Sequence, residues 1–186
     1  MCTVENTRET PPVTGGGSPP DDVTLRRIRV DDWARQRSLR LEMLADTPIA
    51  YLESRANAAA RPDADWMARV AERVASSTTA QWVLDAGDRF VGTMSCVLDE
   101  AGGVVHVVAV YLSPAYRGRG LLPRMLDEVA RWATERGVTM LVLEVARENE
   151  RAVAAYRRLG FVPTGHTHCH PLYPDITEME MTRPVS

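Results

Sequence analysis

Residues 104–126 read VVHVVAVYLSPAYRGRGLLPRML, and the fold turns on this stretch. Val104 to Leu112 is an apolar run that ends at Ser113-Pro114. A basic, glycine-bearing turn follows, Arg117-Gly118-Arg119-Gly120, and then Leu121, Leu122, Met125, Leu126 and Val129 recur at helical spacing. The order is strand, tight turn, helix. The strand is apolar at odd and even positions alike, which predicts a central strand covered on both faces.

The turn has a chemical reading. Gly118 and Gly120 let a ligand approach the backbone closely. The helix opening near Gly120 directs its unpaired N–H groups and the positive end of its dipole into the turn. With the charges of Arg117 and Arg119, this is a socket for a phosphate or pyrophosphate. A Walker A loop would end in Gly-Lys-Ser/Thr, and the chain contains no lysine. A dinucleotide fingerprint would place Gly or Ala near position 123, where Pro123 stands.

The elements around the turn extend this picture. Val23–Val30 alternates as a first strand, and Asp31 or Asp32 can cap a helix to about Ala45, with Trp33, Leu39, Met43 and Leu44 toward the core. Ile49–Leu52 is an apolar patch in a loop or short helix, and Pro62 opens a helix through Trp66, Val70 and Val74. Gln81–Asp85 and Phe90–Leu98 form a hairpin about a Gly-Asp turn, and Asp99–Gly103 turns into the central strand. Three antiparallel strands thus precede the glycine turn, whereas a dinucleotide fold carries its fingerprint after the first strand. Gly137 ends the long helix, and Met140–Val145 is the next strand. Asn149 caps a last helix through Ala152, Val153, Tyr156 and Leu159, with Gly160 past its end. Phe161–Thr167 and Ile176–Met181 close the chain as strands.

Two segments carry a family resemblance. Arg117-Gly118-Arg119-Gly120-Leu121-Leu122 resembles the pyrophosphate loop of the GNAT superfamily of N-acetyltransferases, Gln/Arg-x-x-Gly-x-Gly/Ala, with Leu122 in place of the final small residue. Asn149 and the helix end Tyr156-Arg-Arg-Leu-Gly-Phe161 resemble the family's last helix. The resemblance covers about residues 23–183. It implies an α/β (α+β) fold, a mixed and mostly antiparallel sheet with a splayed central parallel pair flanked by helices. It further implies that acetyl-CoA is the cosubstrate, with its pantetheine arm in the splayed gap. Main-chain groups of Val110, Tyr111 and Leu112 would pair with that arm. Arg117, Gly118, Arg119, Gly120 and Leu121 would hold the pyrophosphate. Asn149 would face the pantetheine, or simply cap its helix.

The implied chemistry is attack by an amine on a thioester. An amine of pKa about 10.4 needs a base or a water path, and the leaving thiolate needs a proton donor. Tyr156 matches the family's general acid; the alternative is a core tyrosine on an apolar helix face. His106, inside the central strand, and Glu144, on the next strand, compete for the role of base; a satisfied core histidine is the alternative for His106, and orienting the substrate is the alternative for Glu144. His166, His168 and His170 alternate on the penultimate strand beside Cys169. They line the acceptor mouth opposite Tyr51, or are solvated. A zinc site would need a further ligand group that the sequence does not point to, so no metal is expected.

Composition sets the remaining bounds. The chain has 186 residues, 45% hydrophobic and 25% charged, which suits one domain with a full core. Residues 1–22, rich in Pro, Gly, Ser and Thr, read as a disordered tail before a domain over 23–186. The net charge of −3 lies in that tail, which holds one Arg against Glu5, Glu9, Asp21 and Asp22. The rest is balanced, so no nucleic-acid partner is expected. No membrane span and no signal-peptide pattern are present, and the expected compartment is the cytoplasm. Three cysteines, Cys2, Cys96 and Cys169, argue against a disulfide framework, and Cys96 reads as a core residue. The alternatives to an acetyltransferase are an N-acyltransferase using a longer acyl-CoA, or a CoA-binding regulatory module without catalysis. The acceptor, a small-molecule amine or a protein amine, stays open, as does a homodimer.

Overall fold

The computed structural model describes residues 23–101 and 103–185. The tail expected over residues 1–22 lies outside the described residues. The elements in chain order are β1 (Thr24–Arg27), α1 (Trp33–Asp46), α2 (Arg55–Ala60), α3 (Asp63–Ala75), β2 (Thr79–Asp85), β3 (Phe90–Asp99), β4 (Val104–Leu112), α4 (Leu121–Thr134), β5 (Met140–Ala146), α5 (Glu150–Arg158), β6 (Val162–His170) and β7 (Tyr173–Pro184). The strands form one seven-stranded sheet in the order β1-β2-β3-β4-β5-β7-β6. Only β4 and β5 run parallel; every other neighbouring pair is antiparallel. The predicted mixed sheet with a central parallel pair is therefore what the chain forms. Among the described residues, no helix is long and apolar enough to cross a membrane.

Each face of the sheet carries its own core. On one face α4 buries Leu121, Met125, Leu126, Val129, Ala130, Trp132 and Ala133, the stripe that its helical spacing predicts. It packs on Val105 and Val107 of β4 and on Leu141, Leu143 and Val145 of β5, and α5 adds Val153 and Tyr156. Met125 and Leu126 are fully buried, each contributing roughly 1.5–3 kcal/mol of apolar transfer. On the opposite face Leu39, Met43 and Leu44 of α1 pack with Trp66 and Val70 of α3, against Val83, Phe90 and Tyr111 of the sheet. Cys96 is fully buried, as expected, and burial pushes its thiol up to about 12.

The N-terminal strand is shorter than its alternation predicts. It stops at Arg27 because Asp32 turns the chain: its carboxylate accepts from the Arg29 amide (2.8 Å) and from both terminal nitrogens of Arg26 (2.7 and 2.9 Å). Arg26 also reaches Asp85 on β2 (2.7 Å). Burial would raise the Asp32 carboxyl, but the hydrogen bonds from Arg26, the Arg29 amide and Arg35 outweigh it and hold it at about 2. The short helix α2 has one clear local cause, the Ser54 hydroxyl, which accepts from the Asn57 amide at 3.1 Å. Strands β6 and β7 run beyond their expected limits because they pair with each other as far as His170 and Tyr173.

The expectation of a central strand covered on both faces fails at one place. Val108 is 40% exposed. Val108 lies past the last pair with β5, in the wall of a cleft, and a bulge follows it: Thr93 pairs with Tyr111 and Ser95 with Val108, so Met94 alone faces both Ala109 and Val110. Ala109 takes up the extra residue at φ 51°, a left-handed conformation unusual for a residue with a Cβ. Beyond the bulge the side-chain faces exchange. Val110 and Leu112 join the α4 core, while Ala109 and Tyr111 join the α1 core.

Candidate active site

The parallel pairing of β4 with β5 is confined to Val105–Leu141 and His106–Val142. Past these pairs the strands part, and a cleft of about 680 Å³ opens between them, a size suited to a cofactor. Its walls include His106–Leu112 of β4, Leu143–Ala146 of β5, Gly118 and Gly120 of the turn, and Asn149 and Tyr156. The gap between two strands thus brings together segments that the sequence keeps apart.

At one end lies the glycine turn. Gly118 and Gly120 adopt φ 74° and 72°, the left-handed region that favours glycine. No other group lies within 4 Å of where a Cβ would project at either position, so the turn is open to a ligand. Gly120 is the N-cap of α4 and gives it no side-chain cap. Among the described residues, the amides of Gly118, Arg119 and Gly120 find no backbone acceptor. The helix start is available to an anion.

The two arginines of the turn differ. Arg117 is committed: its Nε donates to the Leu112 carbonyl (2.8 Å), and its guanidinium pairs with Asp46 of α1. It braces the end of β4 against α1. Arg119 is exposed, stacks over the Tyr116 ring at 5.4 Å, and has no ion-pair partner among the described residues. Arg151 and Arg158 of α5 and Arg40 of α1 also line the cleft, and no motif points to them. Arg40 is held by Glu53 at 3.0 Å.

Along the β4 wall, the carbonyls of Val110 and Leu112 point out of the β3 ladder into the cleft. The Tyr51 hydroxyl donates to the Val110 carbonyl at 3.1 Å, as Arg117 does to Leu112. Between them Tyr111 faces the other way, and its hydroxyl donates to Glu42 at 3.0 Å, as does that of Ser113 at 2.6 Å. Burial pushes the phenols of Tyr51 and Tyr111 above their ordinary range. Asn149 lines the cleft and also caps α5, its side-chain oxygen accepting from the Ala152 amide at 3.2 Å. The two roles suggested for it are compatible.

The groups suited to proton transfer lie on opposite faces of the sheet. Tyr156 packs with Leu143, Val145 and Phe161 on the α4 side, edge-on to Phe161 at 5.7 Å between ring centres. It is 8% exposed, and burial pushes its phenol above the ordinary range. Its hydroxyl makes no hydrogen bond to any other described residue. His106 and Glu144 alternate with the core residues Val105, Val107, Leu143 and Val145, so they face the other side. The cleft passes between the two sets.

The three C-terminal histidines separate. His166 is solvated, its Nδ1 3.8 Å from Glu180. His168 lies between Glu178 (3.2 Å) and Glu144 (3.9 Å). His170, expected at an acceptor mouth or in solvent, is instead buried, and its Nδ1 accepts from the Leu172 and Tyr173 amides at 3.1 and 3.2 Å. The register shift between Cys169 and His170 ends the alternation that would have kept it with the others. Glu178, buried at the cleft wall, was not singled out in the sequence. The alternation Thr177-Glu178-Met179-Glu180-Met181 is the signal that marks it, since it places both glutamates on one face of β7.

A family model described as the acetyltransferase (GNAT) family matches residues 40–161. The chain belongs to the GNAT acetyltransferase family. An uncharacterized N-acetyltransferase of Bacillus subtilis is 32% identical over 78 residues, a match covering 42% of this chain and 30% of that relative. The match thus spans under a third of that relative's length. A GNAT-family acetyltransferase of Streptococcus pneumoniae superposes with a TM-score of 0.74 at 16% identity, over 89% of this chain and 100% of that one. A spermidine N-acetyltransferase of Vibrio cholerae, in complex with CoA and spermine, superposes with a TM-score of 0.71 at 15% identity, over 88% and 95%. At these identities the structural likeness concerns the GNAT fold, and it extends beyond the span of the family model.

Proposed function

We propose that this GNAT protein transfers an acetyl group from acetyl-CoA directly to a primary amine. The observation that carries the reading is the placement of Tyr156 and of His106 with Glu144 on opposite faces of a gap that ends at an uncapped helix start. A thioester lying in that gap would present its sulfur toward α5 and its carbonyl carbon toward the β5 face. The Vibrio neighbour's complex with CoA and spermine supports a nucleotide-thiol donor and an amine acceptor.

The amine nitrogen attacks the thioester carbonyl carbon, and the N–C bond forms. The C–S bond breaks, and the thiolate takes the Tyr156 phenolic proton. The ammonium proton, whose loss before attack costs about 4–5 kcal/mol at neutral pH, leaves through His106 or Glu144 toward solvent, and the second proton on nitrogen leaves the tetrahedral adduct by the same route, so that the product is a neutral amide. A proton from solvent restores the phenol. Arg119, the loop amides and the start of α4 hold the pyrophosphate, and the Val110 carbonyl receives a pantetheine amide in place of the Tyr51 hydroxyl.

A panel of amines with acetyl-CoA, read by free-thiol release, tests this. Release that requires a primary amine, with no thiol burst in its absence, is expected for direct transfer. Tight CoA binding without release across the panel would make the protein a binding module. Faster release from longer acyl-CoAs would change the donor.

A further inference from the structure

Glu144, His168 and Glu178 stand on β5, β6 and β7, neighbours in the sheet. Glu178 pairs in register with His168 on one side and with Ala146 on the other, two residues along from Glu144. All three side chains project from one face. One ligand atom from each lies within 4.8 Å of the other two. His168 Nε2 is 3.2 Å from Glu178 Oε2, and His168 Nδ1 is 3.9 Å from Glu144 Oε1.

The charge around this trio is not balanced by the usual means. The chain is rich in arginine, yet among the described residues neither Glu144 nor Glu178 has an arginine within ion-pair distance; His168 is the ion-pair partner of both. Glu178 keeps only 10% of its side chain in solvent, and a carboxylate so buried calls for a strong cationic partner. We propose that Glu144, His168 and Glu178 bind a divalent transition-metal ion of the zinc class.

The donor set selects this class. One imidazole with two carboxylates suits zinc and its neighbours, whereas magnesium and calcium take oxygen ligands alone. Ligand atoms about 2.0–2.2 Å from a zinc ion sit roughly 3.3 Å from one another in a tetrahedron. The half-exposed Glu144 and His168 reach that spacing by side-chain rotation, while the buried Glu178 is the fixed point. Three protein ligands leave a fourth position open. Glu144 and Glu178 also line the cleft, so the ion would lie at its wall. The ion would occupy the face opposite Tyr156 and leave the glycine turn free, and with Glu144 engaged as a ligand the proton route of the proposed reaction falls to His106.

Tag-free full-length protein, stripped with chelator, is titrated with zinc by calorimetry, with magnesium as the control. One zinc per chain and no heat from magnesium are expected. Glu178→Gln and His168→Ala should each weaken zinc at least tenfold, while His166→Ala, at a solvated side chain two residues from His168, should leave it unchanged. Cobalt(II) should give the visible bands of a tetrahedral site without a thiolate charge-transfer band, which separates this site from one built on Cys169 or Cys2. Circular dichroism checks folding, and Glu144→Gln, at a half-exposed position, serves where another variant fails it. No saturable zinc binding, equal affinity in Glu178→Gln and Glu144→Gln, or a thiolate band would overturn the assignment.

Discussion

Replacing Tyr156 with phenylalanine removes one oxygen from a ring packed edge-on against Phe161. The hydroxyl forms no hydrogen bond to another described residue, so no intramolecular partner is stranded by its loss. The ring and its apolar burial remain, and stability should change by less than about 1 kcal/mol. The effect on turnover should be of another size. Burial holds the phenol protonated well past neutral pH, so it is present as a donor throughout the working range. General acid catalysis contributes typically 10²–10⁴-fold, or about 2.7–5.4 kcal/mol of activation free energy. Acetyl-CoA affinity should move little, because a ground-state thioester gains little from the donor.

The assay is thiol release under single-turnover conditions with the best acceptor from the panel, so that chemistry and not product release is observed. Calorimetry with acetyl-CoA and urea unfolding accompany it. A rate lowered a hundredfold or more, with unchanged affinity and unfolding midpoint, is the expected pattern. A single-turnover rate within threefold of the wild type would refute the reasoning and leave Tyr156 as a packing residue of the α4 core.

Other consequences follow from the same geometry. Gly120→Val places a β-branched side chain at φ 72°, which costs roughly 1–2 kcal/mol of strain, and projects it into the open turn; acetyl-CoA affinity should fall at least tenfold by calorimetry while circular dichroism stays native. His106→Ala should lower the rate most near neutral pH and less as pH rises and free amine becomes abundant, whereas a pH–rate profile parallel to the wild type assigns the proton to Glu144 or water. Asp32→Asn should remove about 2–3 kcal/mol at pH 7, the worth of holding its carboxyl at about 2 against an unfolded value near 3.9. Because the folded value is depressed, that contribution is complete above about pH 5 and lost as pH falls through about 4 toward 2, so the urea midpoints of wild type and variant should converge over that window.

What could be read from the chain was what is local to it. The strand–turn–helix around Arg117–Gly120 announces itself because glycine conformation, helix start and apolar periodicity are all encoded within some twenty residues. The same holds for α5, where the Asn149 cap and the Leu159-Gly160-Phe161 stop lie next to the helix they bound. Pairings across the fold left no such mark. Glu42 receives Tyr111 and Ser113, and Asp46 receives Arg117, from about seventy positions away, and nothing in α1 sets these two acids apart. The commitment of Arg117 to Asp46 and Leu112, which leaves Arg119 as the open cation of the turn, is a consequence of that tertiary contact. The gathering of Glu144, His168 and Glu178 depends on β7 lying between β5 and β6, an order that strand alternation alone does not supply.

The least legible feature is the one on which the site depends. Ala109 carries no glycine or asparagine signature for φ 51°, a conformation that costs such a residue on the order of 1–3 kcal/mol. The surrounding contacts hold it there. Tyr111 is drawn to the α1 face by Glu42, and Val110 and Leu112 to the α4 face by the apolar core, so one extra residue must be absorbed between Val107 and Val110. Without that residue the faces would not exchange: Tyr111 would enter the α4 core with its hydroxyl away from Glu42, and Val110 would turn toward α1. The parallel ladder ends at His106, shortly before the bulge, and the carbonyls of Val110 and Leu112, which a continuous sheet would give to β5, are left facing a cleft. A local irregularity held by two cores thus decides which groups of β4 beyond Val108 enter the α1 core, which enter the α4 core, and which carbonyls face the cleft.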